Sequence, residues 1–107
     1  MDKHAEKNIT DTISAVYGCK WSLRILRQIS SGTNRPGAIE KALPGLTKRV
    51  QSYYLKRMIE LEVLEKQSFP EIPPRVEYSI TEYGKRILKI MDEIIQLESD
   101  LRSNQSR

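Results

Sequence analysis

The stretch ALPGLTKRV at 42–50 places one Pro-Gly step between two helical patterns. Upstream, Pro36 favours a helix start, and Ile39, Ala42 and Leu43 fall on one side of a short helix over 36–43. Pro44-Gly45 breaks that helix. Downstream, Leu46, Val50, Tyr54, Leu55, Met58 and Leu61 recur mostly three or four apart, which predicts a second helix over 46–61. Thr47 stands where an N-cap hydroxyl serves it. A helix, a tight break and a second helix form the helix-turn-helix arrangement.

The hydrophobic period then changes. Residues 63–69 carry β-branched and aromatic side chains without a helical stripe. Over 75–80, Val76, Tyr78 and Ile80 alternate with Arg75, Glu77 and Ser79, which predicts a strand. The linking PEIPP at 70–74 holds Pro70, Pro73 and Pro74, which cannot donate to a ladder and so belong to a loop. The pair reads as an antiparallel hairpin with a loop too long for a two-residue turn. On the N-terminal side, Ile9, Ile13, Val16 and Tyr17 predict a helix over 9–17, capped near Thr10 or Asp11. Trp21, Leu23, Ile25, Leu26 and Ile29 predict a more buried one over 20–30, with Gly18 interrupting before it and Gly32 at its C′ position. On the C-terminal side, Ile87, Ile90, Ile94, Leu97 and Leu101 alternate by three and four, with Met91 and Ile95 beside them. That is about two heptads of an apolar seam on a helix over 81–101. The expected fold is mainly α with a small β-hairpin: one domain over 9–102, with flexible tails at 1–8 and 103–107.

Composition narrows the chemistry. Among 107 residues there is one cysteine, Cys19, and one histidine, His4, so no Cys/His metal site can be built within one chain. The folded part has no histidine and no phosphate-binding glycine loop, and its carboxylates lie mostly beside Lys or Arg, as on solvated faces. These absences argue against an enzyme and against any cofactor. The polar start MDKHAEKNITDT lacks the apolar region of a secretory signal, and no apolar run approaches the roughly 18 residues of a membrane span. A cytoplasmic, nucleoid-associated protein is expected. Eighteen Lys and Arg against fourteen Asp and Glu give a net charge of +4, which permits a nucleic-acid partner without establishing one.

The position of the basic residues says more than their number. With the apolar stripe of the 46–61 helix turned inward, the opposite arc holds Lys48, Arg49, Ser52, Tyr53 and Lys56. Lys and Arg take phosphates or guanine edges, and Ser and Tyr hydrogen-bond backbone or base. Charge pattern alone is equally that of a solvated helix; the helix-turn-helix context and the hairpin favour a helix seated in the major groove. Thr47 adds a phosphate contact at the helix start. Arg75, at the edge of the stiff loop, can enter a narrow minor groove, or fold onto Glu71 or Glu77 as part of a rigid surface turn. Arg35 and Lys41 flank the motif as further phosphate contacts. Trp21, Tyr17, Tyr54, Tyr78 and Tyr83 are expected in or beside the core. Cys19 is either a small buried hydrophobe or, beside Lys20, a redox switch.

The segments YGCKWSLRIL, LPGLTKRVQSYYLKRMIELEVLEK and PEIPPRVEYSITEYG together resemble the HxlR family of winged-helix transcription regulators, over about 9–91. The proline-rich hairpin leading through RVEYSIT to Gly84 is the most specific part of the resemblance. The resemblance implies a homodimer formed by the helices at 9–17 and 81–101, hence dimerisation through Ile9, Ile13, Ile87, Ile90, Ile94, Leu97 and Leu101. It also implies that the helix from Thr47 reads the major groove, that the hairpin is the wing, and that the protein acts at promoters as repressor or activator. Two departures stand out. The sensing cysteine of many members falls here at about Asn8, and Cys19 occupies a position commonly glycine. Glu62 replaces a glycine before the wing, which is expected to change how the helix ends. The reading is a sequence-specific regulator of double-stranded DNA, with an inverted-repeat operator whose half-sites lie roughly 10 bp apart. The alternatives are a non-specific architectural DNA binder, a protein-interaction module, and a redox-sensing variant acting through Cys19.

Overall fold

The computed structural model describes residues 8–105; of the loose ends expected at 1–8 and 103–107, residues 1–7, with His4, and 106–107 lie outside the described residues. In chain order the elements are α1 (Ile9–Tyr17), α2 (Lys20–Ser30), α3 (Pro36–Ala42), α4 (Lys48–Glu60), β1 (Leu64–Phe69), β2 (Arg75–Ile80) and α5 (Glu82–Gln105). The core is organised around α2, whose Ile25, Leu26 and Ile29 are buried. Val16 of α1, Ile39 of α3, Leu46 just before α4, Leu55 and Met58 of α4, Leu61 and Val63 after it, Leu64 of β1, Tyr78 of β2, and Ile87 and Met91 of α5 complete it. Each such Val, Leu, Ile or Met side chain contributes about 1.5–3 kcal/mol by leaving water.

Three sequence expectations are corrected at the helix ends. Asn8, rather than Thr10 or Asp11, caps α1: its Oδ1 accepts from the Asp11 N–H at 3.0 Å. Asp11 sits in the first turn, where a carboxylate complements the helix dipole. On α3, Ala42 is exposed, and the seven-residue helix buries only Ile39. The last helix does not stop near 101 but runs to Gln105, because the residues after Leu101 include neither Gly nor Pro to end it.

The end of α4 controls how the hairpin departs. The Glu62 N–H donates to the Ile59 carbonyl at 2.9 Å and the Val63 N–H to the Met58 carbonyl at 2.9 Å. This is the Schellman pattern, with Glu62 in the left-handed conformation at φ +65°. Gly32 ends α2 by the same pair of bonds, from Gly32 to Ile29 at 3.1 Å and from Thr33 to Gln28 at 2.9 Å. Glu62 therefore does not change how its helix ends, contrary to expectation; it adopts the glycine geometry at a steric cost.

The two strands pair antiparallel in the register Leu64↔Ile80 to Phe69↔Arg75. The free edge of β2 is partly covered, since the Tyr78 N–H donates to the Asn34 carbonyl at 2.9 Å. Thr81 joins hairpin to helix: its hydroxyl donates to the Glu62 carbonyl at 2.7 Å and accepts from the Gly84 N–H at 2.9 Å. Gly84 lets this junction close, because a Cβ there would lie 2.3 Å from the Val63 carbonyl oxygen.

Candidate nucleic-acid interface

The orientation of α4 is fixed from both ends of the preceding turn. Thr47 Oγ1 accepts from the Val50 N–H at 3.2 Å, so the expected N-cap is present. Gly45 takes φ +94°, a conformation that lets the chain reverse between α3 and α4. The Trp21 ring packs over that turn, 3.7 Å from where a Cβ on Gly45 would lie. Lys20 and Arg24 sit over the same ring at 5.1 and 5.6 Å from its centroid. Gln51 supplies the third anchor and was not singled out by the sequence. It is 3% exposed, and its Nε2 donates to the Pro36 carbonyl at 2.8 Å, tying α4 to the head of α3. It lies four and seven residues before Leu55 and Met58, on the buried side of α4.

With that face held, Lys48, Arg49, Ser52, Tyr53 and Lys56 all lie exposed on the outer arc, together with Thr47. The Tyr53 ring meets Tyr54 edge-on, with centroids 5.0 Å apart. Burial first, and then Cys19 beside it, raise the Tyr54 phenol above its ordinary value. Between α4 and the hairpin runs an open cleft of about 430 Å³ lined by Ser52, Lys56, Ile59, Glu60, Lys66 and Tyr78. Lys66 was missed in the sequence because a lone lysine on a strand carries no periodic signal. It gains meaning only from the register, which sets it opposite Tyr78.

The flanking cations behave differently. Arg35 reaches Glu77 through two nitrogens, each at 3.3 Å. The Nε of Arg75 lies 3.0 Å from Glu71 and 3.6 Å from Glu77, and its guanidinium stacks 3.9 Å from the centre of the Phe69 ring. Its Nε–H has no acceptor in hydrogen-bonding geometry, so the attraction is that of an ion pair and a stacked cation. The choice left open by the sequence, groove or neighbouring acid, falls to both acids in the free chain.

The helix-turn-helix and wing geometry agrees with known proteins. The model of the HxlR-like helix-turn-helix family matches residues 16–106. This chain belongs to that family. Among curated relatives it is 36% identical over 81 residues to an HTH-type transcriptional regulator of Synechocystis sp., covering 76% of this chain and 60% of that protein. It is 43% identical over 76 residues to the HTH-type regulator YvaP of Bacillus subtilis, covering 70% of this chain and 69% of YvaP. The chain thus spans only 60% of the length of the Synechocystis relative. A MarR-family transcriptional regulator from Enterococcus faecalis superposes with a TM-score of 0.80 at 30% identity, over 100% of this chain and 94% of that one. Diamide-treated YodB of Bacillus subtilis gives 0.79 at 23% identity, over 94% of each chain, a likeness of fold.

In this HxlR-like chain Asn8 serves as a helix cap. Cys19 is a half-buried free thiol at the head of α2, where it makes no capping hydrogen bond. Helices α1 and α5 are joined by hydrogen bonds from Tyr17 to Glu98 and from Tyr83 to Thr12, the latter at 3.1 Å. The first of these raises the Tyr17 phenol above its ordinary value, ahead of burial. Of the expected dimerisation residues, Ile87 is corrected: at 1% exposed it belongs to this chain's own core. Ile13, Ile90 and Ile94 are half-buried, whereas Ile9, Leu97 and Leu101 are exposed, joined by Tyr83 and Ile95.

Among the described residues, no helix is long and apolar enough to cross a membrane.

Proposed function

We propose that this chain is a homodimeric, sequence-specific DNA-binding regulator of transcription in the cytoplasm, with α4 seated in the major groove and the hairpin against the adjacent minor groove. The observation that carries this reading is the exposed arc of Lys48, Arg49, Ser52, Tyr53 and Lys56 on a helix anchored by Thr47, Gln51 and the Gly45 turn. On this reading Arg49 and Tyr53 are assigned to base edges, and Thr47, Lys48 and Ser52 to phosphates. Lys56 and Lys66, on opposite sides of one cleft, suit the sugar-phosphate strand that passes between helix and wing. Family membership supports this regulator reading over an architectural one.

Selection of bound sequences from a random duplex pool tests it. An enriched inverted repeat with half-sites roughly 10 bp apart is expected. Binding without enrichment would leave the architectural reading standing, and absence of binding would leave the protein-interaction reading.

A further inference from the structure

Among the described residues, the exposed large apolar side chains fall into three places. Ile9, Tyr83, Ile95, Leu97 and Leu101 lie on α1 and α5, where the proposed second copy covers them. Tyr53 lies on the outer arc of α4. The remaining one is Ile72, fully exposed in the loop at the tip of the hairpin. A lone exposed aliphatic residue ordinarily needs no explanation. The charges around Ile72 make it informative.

The loop between the strands, PEIPP, carries one ionisable side chain, and that is the acidic Glu71. Arg75, the first residue after the loop, is held by Glu71 and Glu77 and stacked on Phe69. Arg35 at the base is paired with Glu77. The wing therefore presents no uncompensated cation at its tip. Binding a phosphate there through Arg75 would draw on a guanidinium whose Nε already faces Glu71 and Glu77 and which is stacked on Phe69. An apolar contact requires nothing to be broken. Pro70, Pro73 and Pro74 hold their own φ angles, so docking the loop costs little conformational entropy. Aliphatic side chains are used against the minor groove, where they press on sugars or wedge at a base step.

We infer that the wing meets the duplex through Ile72, packed against the minor groove, and that Arg75 is a positioning residue that braces the loop from within. This rests on the DNA-binding reading above. The wing then adds affinity that salt does not screen, while α4 and Lys66 supply the salt-dependent part.

Full-length protein titrated onto the selected operator, at several salt concentrations, tests the inference. Ile72→Ala is expected to weaken binding roughly tenfold, as loss of part-buried aliphatic carbon does, with the salt slope unchanged. Ile72→Lys is expected to steepen the slope by about 0.9, as one new phosphate contact does. Arg75→Gln is expected to weaken binding without flattening the slope, and to have no further effect when Ile72 is already alanine, since a brace acts only through what it holds. Thermal melts of the Ile72 variants should coincide with wild type, because the side chain is fully exposed. Unchanged affinity in Ile72→Ala overturns the inference and leaves DNA binding intact. A slope flattened by about 0.9 in Arg75→Gln also overturns it, by making Arg75 a phosphate contact. A wild-type protein that binds no duplex overturns both readings together.

Discussion

At the scale of single residues, two backbone positions test the same physics with opposite sign. Gly84 lies in the first turn of α5, where propensity alone favours alanine by about 1 kcal/mol. Contact reverses that preference: the added Cβ would stand 2.3 Å from the Val63 carbonyl oxygen and 2.8 Å from Ile80. The oxygen is backbone, and through Thr81 it is tied to the helix start, so it cannot yield cheaply. Gly84→Ala is expected to lose roughly 2–3 kcal/mol in urea unfolding, as overpacking does. Glu62 is the converse. It already occupies the left-handed position of a Schellman end, so its main chain is strained where glycine's is not. Glu62→Gly should gain roughly 0.5–1 kcal/mol, after the greater freedom of glycine in the unfolded chain is counted. The urea midpoint should rise with unchanged m, and operator affinity should stay the same. A loss of stability would mean that the carboxylate has contacts worth more than the strain.

At the scale of elements, legibility in the sequence followed the range of the interaction. The outer arc of α4 was readable because one helix fixes which residues share a face. The hairpin was readable because alternation and prolines are local signals. The buried amide of Gln51 was not, since its partner is the Pro36 carbonyl on another helix. Arg75 was readable only as a choice, because the strand register that sets Phe69 opposite it is a pairing fact rather than a local one. Lys66 needed both the hairpin and α4 in place before it became part of a cleft. This difference between local and assembled features can be tested on the proposed contacts. Arg49→Ala should weaken binding to the selected operator and relax preference at one base position, with about 1–3 kcal/mol of discrimination lost there. Lys66→Ala should instead weaken binding to all duplexes alike and reduce the salt slope by about 0.9. Sequence-dependent loss in Lys66→Ala would move that lysine from the backbone to a base edge.

At the scale of the whole molecule, the shape argues for a missing partner. The Cα radius of gyration is 15.6 Å, whereas a compact domain of this length has about 13 Å. The long axis measures 59 Å, and the 24-residue α5 accounts for much of it. The outer part of that helix buries little against the rest of the chain: Leu97 is 69% and Leu101 57% exposed, and Ile9 of α1 is exposed as well. Leaving such side chains in water forfeits about 25 cal/mol for each Å² that could be buried, which a second copy would recover. The proposed dimer also matches the two-fold symmetry expected of the operator, so dimerisation and DNA binding should fail together. Replacing both Leu97 and Leu101 by Glu puts like charges against each other across a symmetric interface. Sedimentation velocity should then show a monomer whose helical content and melting remain close to wild type, because neither side chain belongs to the core. Affinity for the full inverted repeat should fall about 100-fold or more, since the second half-site contact becomes intermolecular, while the weak affinity for a single half-site should persist. A double variant that remains dimeric would place the subunit interface elsewhere than α1 and α5. A monomer that still binds the inverted repeat with full affinity would show that each chain acts alone.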